Sequence, residues 1–400
     1  MFPQLPFSRS RRLAAGLMLF ALIFPTAACH GAEPEPQKAQ SAPAAAQPRQ
    51  AAKQNGLMLD TARRFYSERE IKKFIDMLAA SGGQFLHLHF SDHENYALES
   101  ALLGQTVETA KRSRSGVYTN PKTGKPFLSR RQMRTIIRYA AAKNIEIVPE
   151  VGSPNHMNGI FTLLTHKHGK DYVRALKSKM ADDEIDITRP ESVAFVKALI
   201  DETAETFNRS KHFHIGGDEF GYSAESNHEF IDYANTLAAH LAAKGLKTRM
   251  WNDGLINSTV GKLNRDIEIT YWSYDGNPAD KQAAQTRRAM RASLPELTAK
   301  GFSVLNYNSY YLYLVPNGKR DFAHDAGFSA QDIEKRWHLG VWDGENRSNA
   351  TADTGRIIGA ALAVWGENTG KMKNETIRRN TAAPLKAMMR KANAASAATP

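Results

Sequence analysis

Between Gly56 and Ala392 the chain alternates short apolar stretches with longer amphipathic ones, and nothing else in it restricts the fold as strongly. The apolar stretches cover residues 57–60, 84–90, 145–151, 213–218, 247–252, 267–273, 302–308 and 361–365. Near-continuous apolar runs of this length suit strands covered on both faces, and their alternation with helical segments predicts a parallel sheet. Eight such strands predict a closed (β/α)8 TIM barrel, a single α/β domain. Helical spacing marks 68–80, 129–143, 190–208, 226–244 and 375–392, several opened by Ser or Pro at a start position. Residues 316–359 carry clusters of Gly, Asn and Asp and read as a long loop. No internal repeat is visible.

Barrels of this kind keep their chemistry at the C-terminal ends of the strands, so a candidate site can be assembled before any reaction is considered. Asp60 and Arg63 follow the first strand, and His87, His89, Asp92 and His93 belong to the second. The third supplies Glu150 and the turn from Gly152 to His156, the fourth Asp218 and Glu219, the fifth Trp251, Asn252 and Asp253. Trp272 to Asp275 close the sixth, four tyrosines from Tyr307 to Tyr313 follow the seventh, and Trp365 to Glu367 close the eighth. The sharpest feature is HFHIGGDEF at 212–220, a buried strand entering a Gly-Gly turn that delivers two adjacent carboxylates. Such a pair is costly to desolvate unless something uses it, although the same acids would also suit the positive end of a helix dipole. Three of the five tryptophans fall at strand ends beside carboxylates, and flat walls with hydrogen-bonding acids suit a sugar ring.

Charge and the N-terminus limit the partners and the compartment. The formal net charge is +12, and loses the three arginines Arg9, Arg11 and Arg12 if residues 1–28 are removed. No basic motif interleaved with aromatics accompanies it, so nucleic acid is not an expected partner, and clusters such as Lys111 to Arg114 read as solvated faces. Residues 1–28 have the positive start, apolar run and small-residue end of a signal peptide. Cys29, the only cysteine, sits where a bacterial lipoprotein signal places its lipidated cysteine, although Thr26 stands where Leu is usual. The expected protein is exported, either as an outer-membrane lipoprotein or in secreted form, with membrane contact only through a lipid on Cys29. One cysteine excludes an internal disulfide. Residues 29–54, rich in Ala, Pro and Gln, are expected to be a disordered tether, 55–393 the catalytic barrel and 394–400 a flexible end. A monomer is expected.

The stretch from His214 to Glu219 resembles the catalytic signature of the family-20 glycoside hydrolases, the β-N-acetylhexosaminidases. The resemblance continues through FLHLHFSDHENY (85–96), FHIGGDEFGY (213–222), MWNDG (250–254), YWSYDG (271–276) and LNYNSYYLY (305–313). It implies an enzyme without cofactor or metal that cuts β-linked N-acetylglucosamine polysaccharide with retention, the substrate's own 2-acetamido oxygen attacking the anomeric carbon. Glu219 would be the general acid and later the base, and Asp218 would hold the acetamido N–H and stabilise the oxazolinium ion. Tyr313 would hydrogen-bond the acetamido oxygen, and Trp251, Trp272 and Trp365 would wall in its methyl group. Arg63, Asp92 and Glu367 would bind sugar hydroxyls at the closed end, His156 would support the general acid, and Tyr222 would line the outer cleft. A negative Asp218 would keep Glu219 protonated. At its closest the resemblance is to members that degrade the biofilm polysaccharide poly-β-1,6-N-acetylglucosamine, with β-1,4 chitin or peptidoglycan fragments as the alternative substrates.

One position departs from the family. Its members usually carry Asp in an Asp-x-Pro-x-His stretch where this chain has Gly152. The acid that could fix the His156 tautomer is then missing, and the expectation is activity with an altered pH dependence. Two rival readings are open. His87 and His89, on one face of a strand, could belong to a metal-dependent hydrolase, or be interior residues bonded to acids. A catalytically silent, glycan-binding surface lipoprotein is the other. Seven acids at the predicted mouth also suggest an acidic cleft on a basic body, which would attract a partly deacetylated, cationic polymer.

Overall fold

The structure, a computed structural model, describes residues 53–397 other than 221–223, 277–278, 345 and 347. Cys29 and Tyr222 therefore lie outside the described residues, as do the signal and all but the last two residues of the expected tether. Eight strands, β1 (Gly56–Asp60), β2 (Phe85–His89), β3 (Glu146–Ser153), β4 (His212–Gly216), β5 (Lys247–Trp251), β6 (Glu268–Tyr271), β7 (Val304–Asn306) and β8 (Ile357–Val364), pair in chain order. All these pairings are parallel, and β1 also pairs with β8, which closes the barrel. β8 begins four residues earlier than its apolar run suggested. Gly359 breaks the pattern there because Gln54 crosses the strand, and a Cβ at Gly359 would stand 1.7 Å from the Gln54 carbonyl oxygen. Lys53 and Gln54, expected as tether, are hydrogen-bonded to Ile357 and Ile358.

The helices follow from local signals. In α1 (Glu68–Ala80) the buried Ile71, Phe74, Ile75 and Leu78 form one stripe at helical spacing, and Ser67 and Glu70 cap each other's backbone N–H. α2 (Arg130–Ala141) repeats the device with Ser129 and Gln132 over Met133, Ile136, Ile137 and Ala140. α3 (Pro190–Thr206) and α4 (Asn227–Ala242) match their expected positions, each two residues shorter at its end. The expected loop of 316–359 instead contains α5 (Phe322–Arg336), opened by Asp321 accepting from the Ala323 and His324 N–H groups. Its stripe is thin: Phe322, Ala326 and Ile333 are its buried apolar residues, which is why the pattern did not show it. The last helix, α6 (Asn374–Ala397), runs past Ala392 with Pro384 inside it. Between β5 and β6 the only helical segment is the single 3-10 turn Val260–Lys262. Among the described residues no helix is long and apolar enough to cross a membrane.

Strand alternation divides the core into two layers. Leu57, Leu59, Leu86, Leu88, Phe213, Ile215, Met250 and Ile269 face outward into the helix layer. Met58, Phe85, Val148, Trp251, Leu305 and Tyr307 face inward. The inward positions of β2 to β6 also carry His87, His89, Glu150, His214, Arg249 and Glu268, all buried. A polar, charged interior of this kind is what the strands hold beneath the site.

Candidate active site

β4 delivers the acids. Gly216 and Gly217 take φ values of +82° and +96°, and a Cβ on Gly216 would stand 2.6 Å from the Ser153 nitrogen. Only glycine lets β4 turn out of the barrel this close to β3. Asp218 and Glu219 follow, the second with φ +55°. β3 meets β4 through a register shift between Glu150 and Ser153, after which the chain returns His156 to the site with φ +60°. Two side chains that meet therefore both stand on left-handed backbone, a cost of order 1 kcal/mol each.

They meet at 2.9 Å, His156 Nε2 to Glu219 Oε2, and the same nitrogen lies 3.6 Å from Asp218 Oδ2. Behind it, His156 Nδ1 donates to Asp92 Oδ1 at 3.2 Å. Burial works against the imidazolium, but Asp218, Asp92 and Glu219 outweigh it and raise the pKa of His156 to about 12. Asp92 is held well below the usual carboxylate range, His156 and His89 outweighing its burial. Glu219 is lowered by the His156 contact. Asp218 is raised to about 7, because burial and the negative Glu150 outweigh the pull of His156.

A cavity of about 380 Å³ opens over these groups, with Arg63, Trp251, Trp272, Tyr313, Trp365 and Glu367 in its lining. Arg63 bonds Asp60 at 3.1 Å and Asp92 at 2.7 Å and lies over the Trp365 ring. Trp272 donates its indole N–H to Asp253 at 2.6 Å, and Asp253 is anchored by Arg291 at 2.8 Å. Tyr313 arrives by an excursion: the short helix Ser309–Leu312 leaves β7, and Tyr313–Leu314 then returns as a parallel strand beside Ala363 and Val364. Its ring stacks on Trp272 at 6.0 Å and meets Trp365 edge-on at 5.3 Å. Burial pushes its phenol well above the ordinary range, so it remains a donor. Under the floor, Glu150 accepts from Trp251 Nε1 at 2.8 Å and His89 Nδ1 at 2.6 Å.

The structure thus brings Arg63, His156, Asp218, Glu219, Trp251, Trp272, Tyr313, Trp365 and Glu367 to one cavity. Asp92 is buried beneath it, engaged with Arg63, His89 and His156. Three expectations need correcting. His156 does not lack an acid for its tautomer, because Asp92 fills the place left by Gly152. The imidazole, not Asp218, sets the state of Glu219, and it lowers the acid where the sequence suggested raising it. Of the two readings left open for His87 and His89, the interior one describes His89, whose two nitrogens meet carboxylates at 2.6 and 2.7 Å, while His87 stands with Glu150 and His214 in a group whose ligand atoms lie within 4.8 Å of one another. The acidic mouth is thinner than counted, since Asp60, Asp92, Asp253 and Asp275 are each paired with Arg63, Arg291 or Arg288. Sequence reasoning singled out neither Val315 in the cavity wall nor the role of Glu150; a lone acid at an inward barrel position was the available signal for the latter.

Comparison with known proteins gives the family. The profile of the glycosyl hydrolase family 20 catalytic domain matches residues 54–382. Lacto-N-biosidase of Bifidobacterium bifidum is 25% identical over 264 residues, 61% of this chain and 21% of that protein. Beta-hexosaminidase 1 of Coccidioides posadasii is 25% identical over 292 residues, 65% of this chain and 44% of that protein. The chain thus spans less than half the length of these two relatives. The crystal structure of dispersin B is 58% identical with a TM-score of 0.83, over 86% of this chain and all of that one.

Proposed function

Since the chain belongs to glycosyl hydrolase family 20, we propose that it is a retaining β-N-acetylhexosaminidase that cuts poly-β-1,6-N-acetylglucosamine by substrate-assisted catalysis. The observation that carries the mechanism is the crowding of Asp218 and Glu219 on one imidazole nitrogen, within 3.6 and 2.9 Å of it. Two carboxylates sharing one neighbour do not face each other across a sugar ring, as a protein nucleophile and its acid, or an acid and a water-activating base, must. The nucleophile is then supplied by the substrate.

Asp218, at the cavity floor, takes the acetamido N–H, while the Tyr313 phenol donates to the acetamido oxygen and aims it at the anomeric carbon. Trp251, Trp272 and Trp365 enclose the methyl group and exclude water. Glu219 gives its proton to the leaving oxygen and afterwards takes one from the water that opens the oxazolinium ion. Proton bookkeeping fits this sequence. With Asp218 raised to about 7 and Glu219 lowered, the free pair holds one proton near neutrality, on Asp218. An N–H donated to Asp218 favours its anion, and water displaced from Glu219 favours its acid, so binding needs only to move that proton between neighbours.

The β-1,6 linkage rests on the 58% identity to dispersin B, and export with lipidation rests on residues 1–29. Turnover of β-1,6-linked and β-1,4-linked N-acetylglucosamine oligomers, with Glu219→Gln as control, tests the substrate. Cleavage of the β-1,6 series alone, lost in the variant, is the expected result. Better cleavage of the β-1,4 series moves the substrate to chitin or peptidoglycan fragments, and binding without turnover leaves a silent lectin. Fractionation of cells carrying Cys29→Ser tests the anchor, the expected outcome being release from the membrane.

A further inference from the structure

We propose that Glu150, in the centre of the barrel, is the inner anchor of the general acid: a positioning residue that acts on Glu219 through a chain of alternating imidazoles and carboxylates. The chain has four contacts. Glu150 Oε2 lies 2.6 Å from His89 Nδ1, and His89 Nε2 lies 2.7 Å from Asp92 Oδ2. Asp92 Oδ1 lies 3.2 Å from His156 Nδ1, and His156 Nε2 lies 2.9 Å from Glu219 Oε2. His89 is hydrogen-bonded at both nitrogens, and His156 is hydrogen-bonded at Nδ1 with its Nε2 in ion contact with Glu219, so neither ring can turn without breaking a contact. The inner three members are 0–1% exposed, and β-sheet register fixes two of them, with Glu150 paired to His89 on β2 and to His214 on β4.

The other oxygen of Glu150 serves the cavity wall, accepting from Trp251 Nε1 at 2.8 Å. One buried carboxylate therefore sets both the angle of an indole that encloses the acetamido group and the state of the acid that cuts the bond. An ion pair kept for stability alone can often be exchanged for apolar residues without loss. Here the pairing leads from the core to the reacting carboxylate. Other charged and titratable groups face the chain from every side. His87 and His214 stand against Glu150 at 3.0 and 3.3 Å, Arg63 against Asp92 at 2.7 Å, and Asp218 against His156 at 3.6 Å. The ring of His93 packs edge-on against His156 at 4.6 Å. The chain is thus part of a compensated cluster in which an unpaired inner member has no solvent to turn to.

The proposal rests on the reading of Glu219 as general acid. Its test is a set of double-mutant cycles on kcat and KM. Glu150→Gln keeps the shape and an acceptor for Trp251 but cannot hold His89 as a cation. It is expected to lower kcat about tenfold or more, the usual scale for a lost outer partner, with a smaller change in KM. Combined with His156→Gln, which already cuts the chain, it should cost less than about threefold further, whereas its loss should multiply in full with that of Trp272→Phe, whose indole bonds Asp253. His89→Gln removes a cation while Glu150 stays anionic beneath Asp218, so the basic limb of kcat/KM should move upward. Full multiplication of the Glu150→Gln and His156→Gln losses, or an effect of Glu150→Gln on KM alone, would overturn the chain. If Glu150→Gln does not fold, the cycle of His89→Gln with His156→Gln applies the same criterion. A Glu219→Gln control separates the two claims: wild-type turnover there removes the general-acid reading and this proposal together, while an inactive control with multiplying losses removes the chain alone.

Discussion

At the residue scale the account turns on one proton shared by two adjacent acids. Because Asp218 is raised to about 7, the free enzyme holds that proton below pH 7 and loses it above. kcat/KM should therefore fall above about pH 7, and a pH profile flat well past neutrality would count against the assignment. His156→Ala removes the cation that lowers both acids, so the basic limb should move to higher pH while kcat drops roughly 10- to 100-fold. The Gly152 question is decided here too. A Cβ at Gly152 would meet only the Ser91 carbonyl oxygen at an ordinary 3.6 Å, and Asp92 already holds the imidazole. Steady-state kinetics should find Gly152→Asp within a few-fold of the parent and Asp92→Asn down about tenfold or more. The two acids and the three tryptophans were legible in the sequence because each lies at the end of an apolar run, whereas Tyr313, which follows the helix Ser309–Leu312, was singled out by the family resemblance. The Asp92 to His156 contact was not, since it joins residues 64 positions apart through a register shift in β3 that no periodicity announces.

At the element scale, the strands and capped helices read directly from period and cap, and the failures have physical causes. α5 hides in a turn-rich composition because only three of its apolar residues are buried, while Phe328 points outward, 55% exposed. Gly359 interrupts the apolar run of β8 for a packing reason, the crossing of Gln54, that lies 305 residues away. Two elements give stability predictions. Ser67→Ala removes half of a reciprocal cap outside the cavity lining and should cost about 0.5–2 kcal/mol in urea unfolding with kcat unchanged. Gly216→Ala forces a side chain onto a φ of +82° and into the Ser153 nitrogen. It should cost more than about 1 kcal/mol and lower kcat as well, because the turn that aims Asp218 must move. An unchanged kcat in Gly216→Ala would mean that β4 does not set the position of the acids.

At the scale of the whole molecule, the barrel gathers residues from seven of its eight strand ends into one cavity, with Asp92 after β2 buried beneath it, and its charge balance bears on the polymer proposed as substrate. The chain is strongly basic, yet the cavity sets Arg63 and His156 against Asp218, Glu219 and Glu367, with a proton shared between the first two acids, and so is close to neutral. Turnover of a short, partly deacetylated oligomer should accordingly change less than about twofold with added salt, and a steep fall would restore the acidic cleft that the sequence suggested. Counting acids along a chain overstates such a cleft because it cannot see Arg288 and Arg291 reaching back to Asp275 and Asp253. The central claim is that the substrate supplies the nucleophile within a site built to orient its acetamido group. The most direct measurement is kcat/KM on aryl N-acetylglucosaminides whose acetyl group carries zero to three fluorines. If the acetamido oxygen attacks, each fluorine weakens it and the rate falls steeply across the series; a flat series would contradict the account.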